Sequence, residues 1–544
     1  MNRRFNRGWR LIALGGLLAA TPMLSVSADD WNRFRGPNGS GVSDDGGSLP
    51  EQWSPKANVA WKTALPGAGV SSPIVVGDRV FVTTYSGYGL DRQDPGDIND
   101  LVRHLVCVDL QTGEPVWQKD VPAAQPEDPY TGIGVTAHGY ASHTPVSDGK
   151  NVYAYFGKSG LHAFDLDGNP LWNVPLGKES DPWKWGSSSS PILFEDTVIV
   201  TASAESQAIV AVDKATGKEV WRQEAEALDG MWGTPLLVQI DDQRTDLVMS
   251  VPKEVWGLDP RTGKLRWYAA TSDAEQAHSS AVADGHRVFA FTGRGGGSAS
   301  VQAGGNGDVT DSQVDWTGRD SARFGSPVFD GKNLYLVAGG VLTVIDPETG
   351  DKVSQNRLEG ASRGGGMGSQ DYGSPIIADG KLIYVNGSGQ AFVYRLGDEA
   401  ELLGVNRVTA DAETFGGTPA VAQGRLLLRS NKHLYCVSDE NETVDPADNA
   451  VEVAAADAGG RGPGGRGPGG PGFGGRGPGD GRGGFGNRAG GGRGGFGGGG
   501  RGGAGGRGGA GGRGGFGGGR GGFGGGGERE DTRPDRPQRP ESAF

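Results

Sequence analysis

Side chains able to bind a ligand are concentrated in a few short stretches of this chain. Four arginines, Arg294, Arg319, Arg323 and Arg363, could receive a carboxylate or phosphate through paired hydrogen bonds. Trp185 and Trp232 could stack on a ring or a sugar face. His143, Lys158, Glu205, Lys253, Asp371 and Tyr372 stand in comparable stretches and complete a polar, aromatic set. Nothing in the set reads as a reaction centre. His138 and His143 are five residues apart with no third metal ligand beside them. There is no nucleophile elbow, phosphate-binding loop or His-Glu-x-x-His motif. Seven histidines leave few bases poised near neutral pH. Two cysteines, Cys107 and Cys436, exclude a cysteine zinc cluster and a c-type haem attachment. Binding is expected, with no catalytic residue and no metal ligand assigned.

The elements that position these residues repeat with a period near 46. A Ser/Thr-Pro pair recurs at Pro73, Pro145, Pro191, Pro235, Pro327, Pro375 and Pro419, with Ala281 in the remaining place. Each pair is followed by an apolar alternating run, a Gly/Asp turn and a second run, as in VVGDRVFV (75–82) and ADGKLIYV (378–385). Period-two runs joined by such turns are β-hairpins. The second half of each unit carries Asp, then Thr-Gly, then Trp: Asp109 with Trp117, Asp213 with Trp221, and Asp259 with Trp267. Asp165 with Trp172 is the same signature with one residue deleted. Four strands in about 46 residues is the size of a propeller blade, and eight starts predict eight blades. A lone strand around Trp61, VAWKT (59–63), precedes the first blade, and the eighth lacks a Trp-bearing strand. The first is expected to complete the second, closing the ring and removing an open edge. Cys107 and Cys436 fall at equivalent slots of neighbouring blades, too far apart for a disulfide, so free thiols are expected.

The Ala/Gly-x-Asp-x-x-Thr-Gly-x-x-x-Trp pattern, complete at Ala211, Asp213, Thr216, Gly217 and Trp221, resembles the tryptophan-docking motif of quinoprotein propellers. The repeats over roughly 59–438 are similar to the PQQ-binding-like (pyrroloquinoline quinone repeat) family. The resemblance implies an all-β, eight-bladed β-propeller in which each Trp ties adjacent blades together. That family contains PQQ-dependent alcohol dehydrogenases and also the non-enzymatic propeller lipoprotein of the outer-membrane β-barrel assembly machinery. The dehydrogenases use adjacent cysteines over the quinone and Ca²⁺ held by Glu, Asn and Asp. This chain has no adjacent cysteines and no convincing Ca²⁺ set. No cofactor is therefore expected, and PQQ with Ca²⁺ belongs to an alternative reading as an alcohol or sugar dehydrogenase. A fold alone does not carry its function.

Propeller geometry then sorts the loops. Those before each Ser/Thr-Pro and those between second and third strands share a top face, and all twelve candidate binding residues fall there. A top-face funnel binding an envelope protein, a peptide or a small anionic ligand is the expectation.

The ends differ from the body. Arg3, Arg4, Arg7 and Arg10 precede a short apolar run and Val26-Ser27-Ala28, which reads as a signal peptide over 1–28 and export to the periplasm or beyond. Residues 29–56 are expected to form a strap, 57–440 the propeller and 441–458 a linker. Residues 459–544 form a Gly/Arg-rich tail whose composition cannot bury a core and predicts disorder. The formal net charge of −13 hides +9 on residues 459–527 and −25 on residues 29–458. A uniformly basic nucleic-acid binder is excluded, and export argues against a nucleic-acid partner for the tail. Anionic surface polymer, anionic lipid or the protein's own acidic body are its expected partners.

Overall fold

A computed structural model describes residues 30–91, 93–129, 138, 140–180, 182, 184–293, 296–358, 372–438, 442–449 and 536–537. The expected signal peptide, most of the linker and nearly all of the tail lie outside the described residues.

Eight antiparallel sheets of four main strands follow one another along the chain, as the repeat requires. The inner strand of each begins just after a Ser/Thr-Pro or Ser-Ala step, as at Ile74–Val76, Ile192–Phe194 and Ala420–Ala422. The eighth sheet is closed by Val59–Ala64, which pairs with His433–Ser438 so that Trp61 faces Cys436. The ring therefore shuts by joining both ends of the propeller sequence in one blade. Cys107 and Cys436 are buried, free thiols, and burial pushes the Cys107 thiol up to about 12.

Tryptophans join the blades in a repeated way. The indole Nε1 of Trp61, Trp117, Trp172 and Trp221 donates to a carbonyl in the next blade's turn, at Leu110, Leu166, Lys214 and Pro260, over 2.9–3.0 Å. Each ring also lies against that turn's glycine. Gly113, Gly168, Gly217 and Gly263 all have positive φ, and a Cβ on any of them would stand 2.4–2.8 Å from the docked indole. The turn's Asp caps the same glycine loop: Asp213 accepts from the Thr216 amide at 2.8 Å and its hydroxyl at 2.7 Å. Asp109 and Asp165 cap their turns likewise, and Asp259 accepts from the Arg261 amide.

Trp267 departs from the expected docking. Its indole turns back over Gly257 of its own blade and donates to the buried Asp246 at 2.7 Å. The reason lies in the next blade, where the Thr-Gly turn is missing and a short fifth strand, Gly307–Asp308, runs parallel to Trp267 and Tyr268. With no glycine turn to receive it, the indole finds another acceptor. Trp316, which sequence reading passed over, docks in the usual way on Pro347 and Gly350. Its sequence signal, the VDWTG stretch, was masked by the changed turn before it.

The Ser/Thr of each Ser/Thr-Pro step has a structural task that spacing alone did not reveal. The backbone N–H of Ser72 donates to Thr144 Oγ1, Thr144 to Ser190, Ser190 to Thr234 and Thr234 to Ser280. Ser280 continues to Ser326, Ser326 to Ser374, Ser374 to Thr418, and Thr418 returns to Ser72. These eight bonds of 2.8–3.0 Å form a closed belt around the axis. In seven of the eight places the following proline holds its predecessor extended and offers no competing N–H. Ser326→Ala strands the buried Ser280 N–H, and a loss of about 1–3 kcal/mol is expected, measurable by denaturant unfolding. An unchanged midpoint would show that the belt carries no stability.

Candidate functional site

The belt encircles one end of an axial cavity of about 460 Å³. Two tiers of side chains line it. One tier is the belt. The other comes from residues two positions earlier in each blade: Val70, Ser142, Ser188, Trp232, His278, Phe324, Tyr372 and Gly416. The second tier is lopsided. Four consecutive blades supply rings and the other four supply small residues, leaving open space beside an aromatic wall. Trp232 stacks on His278 with centroids 4.9 Å apart and planes 17° apart. His278 meets Phe324 edge-on at 5.3 Å, and Phe324 meets Tyr372 at 4.6 Å. Trp185 extends the wall beyond Trp232, at 5.7 Å. Arg323 also lines the cavity, with its guanidinium over the Phe324 ring.

Residues 31–42 plug the ring instead of only crossing it. Val75 donates to the Trp31 carbonyl, Ser147 to Asn32 and Ile377 to Gly41, so the segment pairs with inner strands of three blades. Arg33 donates to the Pro235 carbonyl at 3.1 Å and Arg35 to Pro327, while Phe34 between them faces the cavity. Both guanidiniums are buried. Burial lowers Arg33 to about 10, and burial with the neighbouring Arg33 charge lowers Arg35 to about 9. Sequence reading placed a strap here but assigned these arginines nothing. The alternation of Arg33 and Arg35 around Phe34, ahead of Gly36, is the signal that could have marked a plug.

Four of the expected binding residues, Trp185, Trp232, Arg323 and Tyr372, meet at this cavity. His143 and Glu205 come together just behind its wall. His143 Nε2 is 3.0 Å from Ser187 Oγ, which donates to Glu205 Oε1 at 2.7 Å. Burial lowers His143 to about 3 and raises Glu205. His138 hydrogen-bonds Ser142 at 2.6 Å, and burial lowers it to about 4. Lys158 is taken up in a buried ion pair with Asp128 at 2.8 Å. Lys253 holds a tight turn at φ +69°, and Arg319 is exposed. None of these three lines the cavity. They carry charge near the face but point into structure or solvent. Arg294, Arg363 and Asp371 lie outside the described residues.

His278 is the unusual member. Both of its ring nitrogens are buried without a hydrogen-bond partner among the described residues. Burial, with a smaller effect from the Arg323 charge, lowers its pKa to about 4. Among the described residues the cavity lining holds one guanidinium, hydroxyls, rings and an amide, and no carboxylate. Among the described residues no three His, Cys, Asp or Glu side chains gather as a metal site.

Eight blades around an axial cavity, five of their junctions carrying an indole dock, define a propeller of the pyrroloquinoline-quinone-like repeat class. The family described as outer membrane protein assembly factor BamB matches residues 98–227 and 205–444, and the chain belongs to that family. The outer membrane protein assembly factor BamB of Burkholderia pseudomallei (strain K96243) is 34% identical over 124 residues, 22% of this chain and 28% of that protein. The polyvinylalcohol dehydrogenase of Sphingopyxis sp. (strain 113P3) is 24% identical over 282 residues, 39% of this chain and 43% of that protein. The chain thus spans less than half the length of either relative. The quinohemoprotein alcohol dehydrogenase from Comamonas testosteroni shares the fold at 14% identity, with a TM-score of 0.52 over 77% of this chain and 82% of that one. No helix among the described residues is long and apolar enough to cross a membrane.

Proposed function

We propose that this protein is an exported, non-catalytic binding and scaffolding module of the cell envelope. Its axial cavity takes a small planar ligand that carries an anionic group. One observation carries the reading: His278 offers two ring nitrogens that have no partner among the described residues, inside an aromatic wall. Unpaired buried polar atoms are costly unless a ligand or water satisfies them. A flat ring can lie along Trp232, His278 and Phe324, while Arg323 receives its anion through a charge-assisted bond. The hydroxyls of Ser188 and Thr234 also line the cavity and can hydrogen-bond the ring's edge. The relative described as an assembly factor supports an envelope setting for the ring.

The dehydrogenase relatives make PQQ with Ca²⁺ the competing ligand. The aromatic wall suits the quinone's flat rings, but the described lining residues offer its calcium no carboxylate. Titrating the purified protein with PQQ, with and without Ca²⁺, and with quinolinate as a second planar anion separates the readings. Calcium-independent, saturable thermal stabilisation is expected, weakened at least tenfold in Arg323→Ala. Calcium-dependent binding with dye reduction by alcohols would overturn the non-catalytic reading. No stabilisation by any planar anion would overturn the ligand assignment.

A further inference from the structure

The far end of the chain returns to the ring. Arg536 lies over the Tyr268 ring, with its guanidinium carbon 3.6 Å from the ring centroid. The same guanidinium grips Glu254 with both arms: Nε donates to Oε2 at 2.9 Å and Nη2 donates to Oε1. Glu254 is oriented from behind by the Trp256 indole, which donates to Oε2 at 2.7 Å. The Glu254 side chain is 1% exposed beneath the arginine, and Pro537 beside it is buried. Two-armed carboxylate recognition combined with stacking on an aromatic face is specific to arginine and is not matched by lysine.

The local fold explains why the socket is here. Trp256 and Tyr268 face each other across adjacent strands of blade four. This is the blade whose Trp267 turns inward, and whose outer edge is extended by Gly307–Asp308. Asp308 pairs with Tyr268 and adds a second negative charge near Arg536. The segment that reaches the socket is built for it. Arg533-Pro534, Arg536-Pro537 and Arg539-Pro540 repeat one dipeptide at three-residue intervals, so a shift by three residues presents an equivalent ligand.

We infer that Glu254, Tyr268 and Trp256 form a docking site for an Arg-Pro step, and that its occupant is the chain's own C-terminal segment. At the other end of the tail, Asn449 Nδ2 donates to the Trp53 carbonyl at 2.8 Å. The intervening Gly/Arg stretch therefore joins two points fixed on the propeller.

The test uses the full chain labelled with a fluorescent dye through Ser542→Cys. The two native thiols are buried, so the dye reports on the C-terminal segment. High dye anisotropy is expected in the parent protein, at every protein concentration. It should fall to the value of an unanchored segment in Glu254→Gln, and equally in a variant with Arg533, Arg536 and Arg539 all changed to Gln. The triple variant alters only the tail and cannot disturb the ring. A synthetic peptide of residues 531–540 in large excess should release the segment in the parent protein and bind Glu254→Gln at least tenfold more weakly. Equal anisotropy in parent and triple variant would overturn the docking site. Anisotropy that falls on dilution would assign the occupant to a second copy and overturn docking of the chain's own C-terminal segment.

Discussion

Lowering the pH from 7.5 to 5 is expected to remove several kcal/mol of the ring's stability. The cause is a set of histidines buried neutral around the cavity. Burial holds His138 and His278 at about 4 and His143 at about 3, all below the ordinary 6.5. Between pH 6.5 and those values the unfolded chain binds protons that the folded chain refuses. Stability is therefore complete above pH 6.5 and falls as pH drops toward 4. Each histidine contributes a slope of at most about 1.4 kcal/mol per pH unit, so three acting together approach about 4. Glu205 works in the opposite direction. Its pKa is raised by burial, so acid relieves the cost of keeping it charged and offsets part of the loss. Urea unfolding at pH 7.5, 6 and 5 measures the slope. His278→Phe keeps a ring against Trp232 and should flatten the slope by about one proton's share, roughly 1.4 kcal/mol per unit. A stability that does not change from pH 7.5 to 5 would show that these rings are free to protonate in the folded state.

The ring was legible in the sequence because its blades repeat one physical solution. An Asp-capped glycine turn and a docked indole recur with a fixed interval, and Val59–Ala64 was identifiable as the missing strand of blade eight by subtraction. Trp267 was misread because docking depends on two blades at once. Its own motif is intact, and the turn that should receive it is not. The belt was visible as a spacing mark but not as a bond, since each hydroxyl meets its partner some 46 residues away only after the ring closes. The site was legible in part for a related reason. Aromatics before the Ser/Thr-Pro steps, such as Trp232 and Tyr372, were forced inward by the start of the inner strand. Charged residues had more than one place to go. Lys158 found Asp128, Arg319 stayed in solvent, and the buried arginines that matter most near the axis, Arg33 and Arg35, came from a segment outside the repeat.

Gly217→Ala is expected to cost about 3–6 kcal/mol, far more than Gly77→Ala, although both glycines occupy tight turns with positive φ. Gly217 has φ +69° and Gly77 has φ +54°, so each alanine pays about 1–2 kcal/mol for a left-handed backbone. Nothing lies within 4 Å of a Cβ at Gly77, whereas at Gly217 it would stand 2.6 Å from the Trp172 ring. The indole must move, and it is tied by the 2.9 Å bond from Nε1 to the Lys214 carbonyl. Overpacking of this kind costs about 1–3 kcal/mol, and a broken bond to the turn adds roughly 1 more. The pair of variants thus separates backbone strain from blade docking within one fold. Denaturant midpoints give the answer, and near-ultraviolet dichroism of the indoles should change in Gly217→Ala alone. Equal losses in the two variants would mean that the glycine turn is required only for its conformation. The docked tryptophan would then be a passenger in the interface it is taken here to hold.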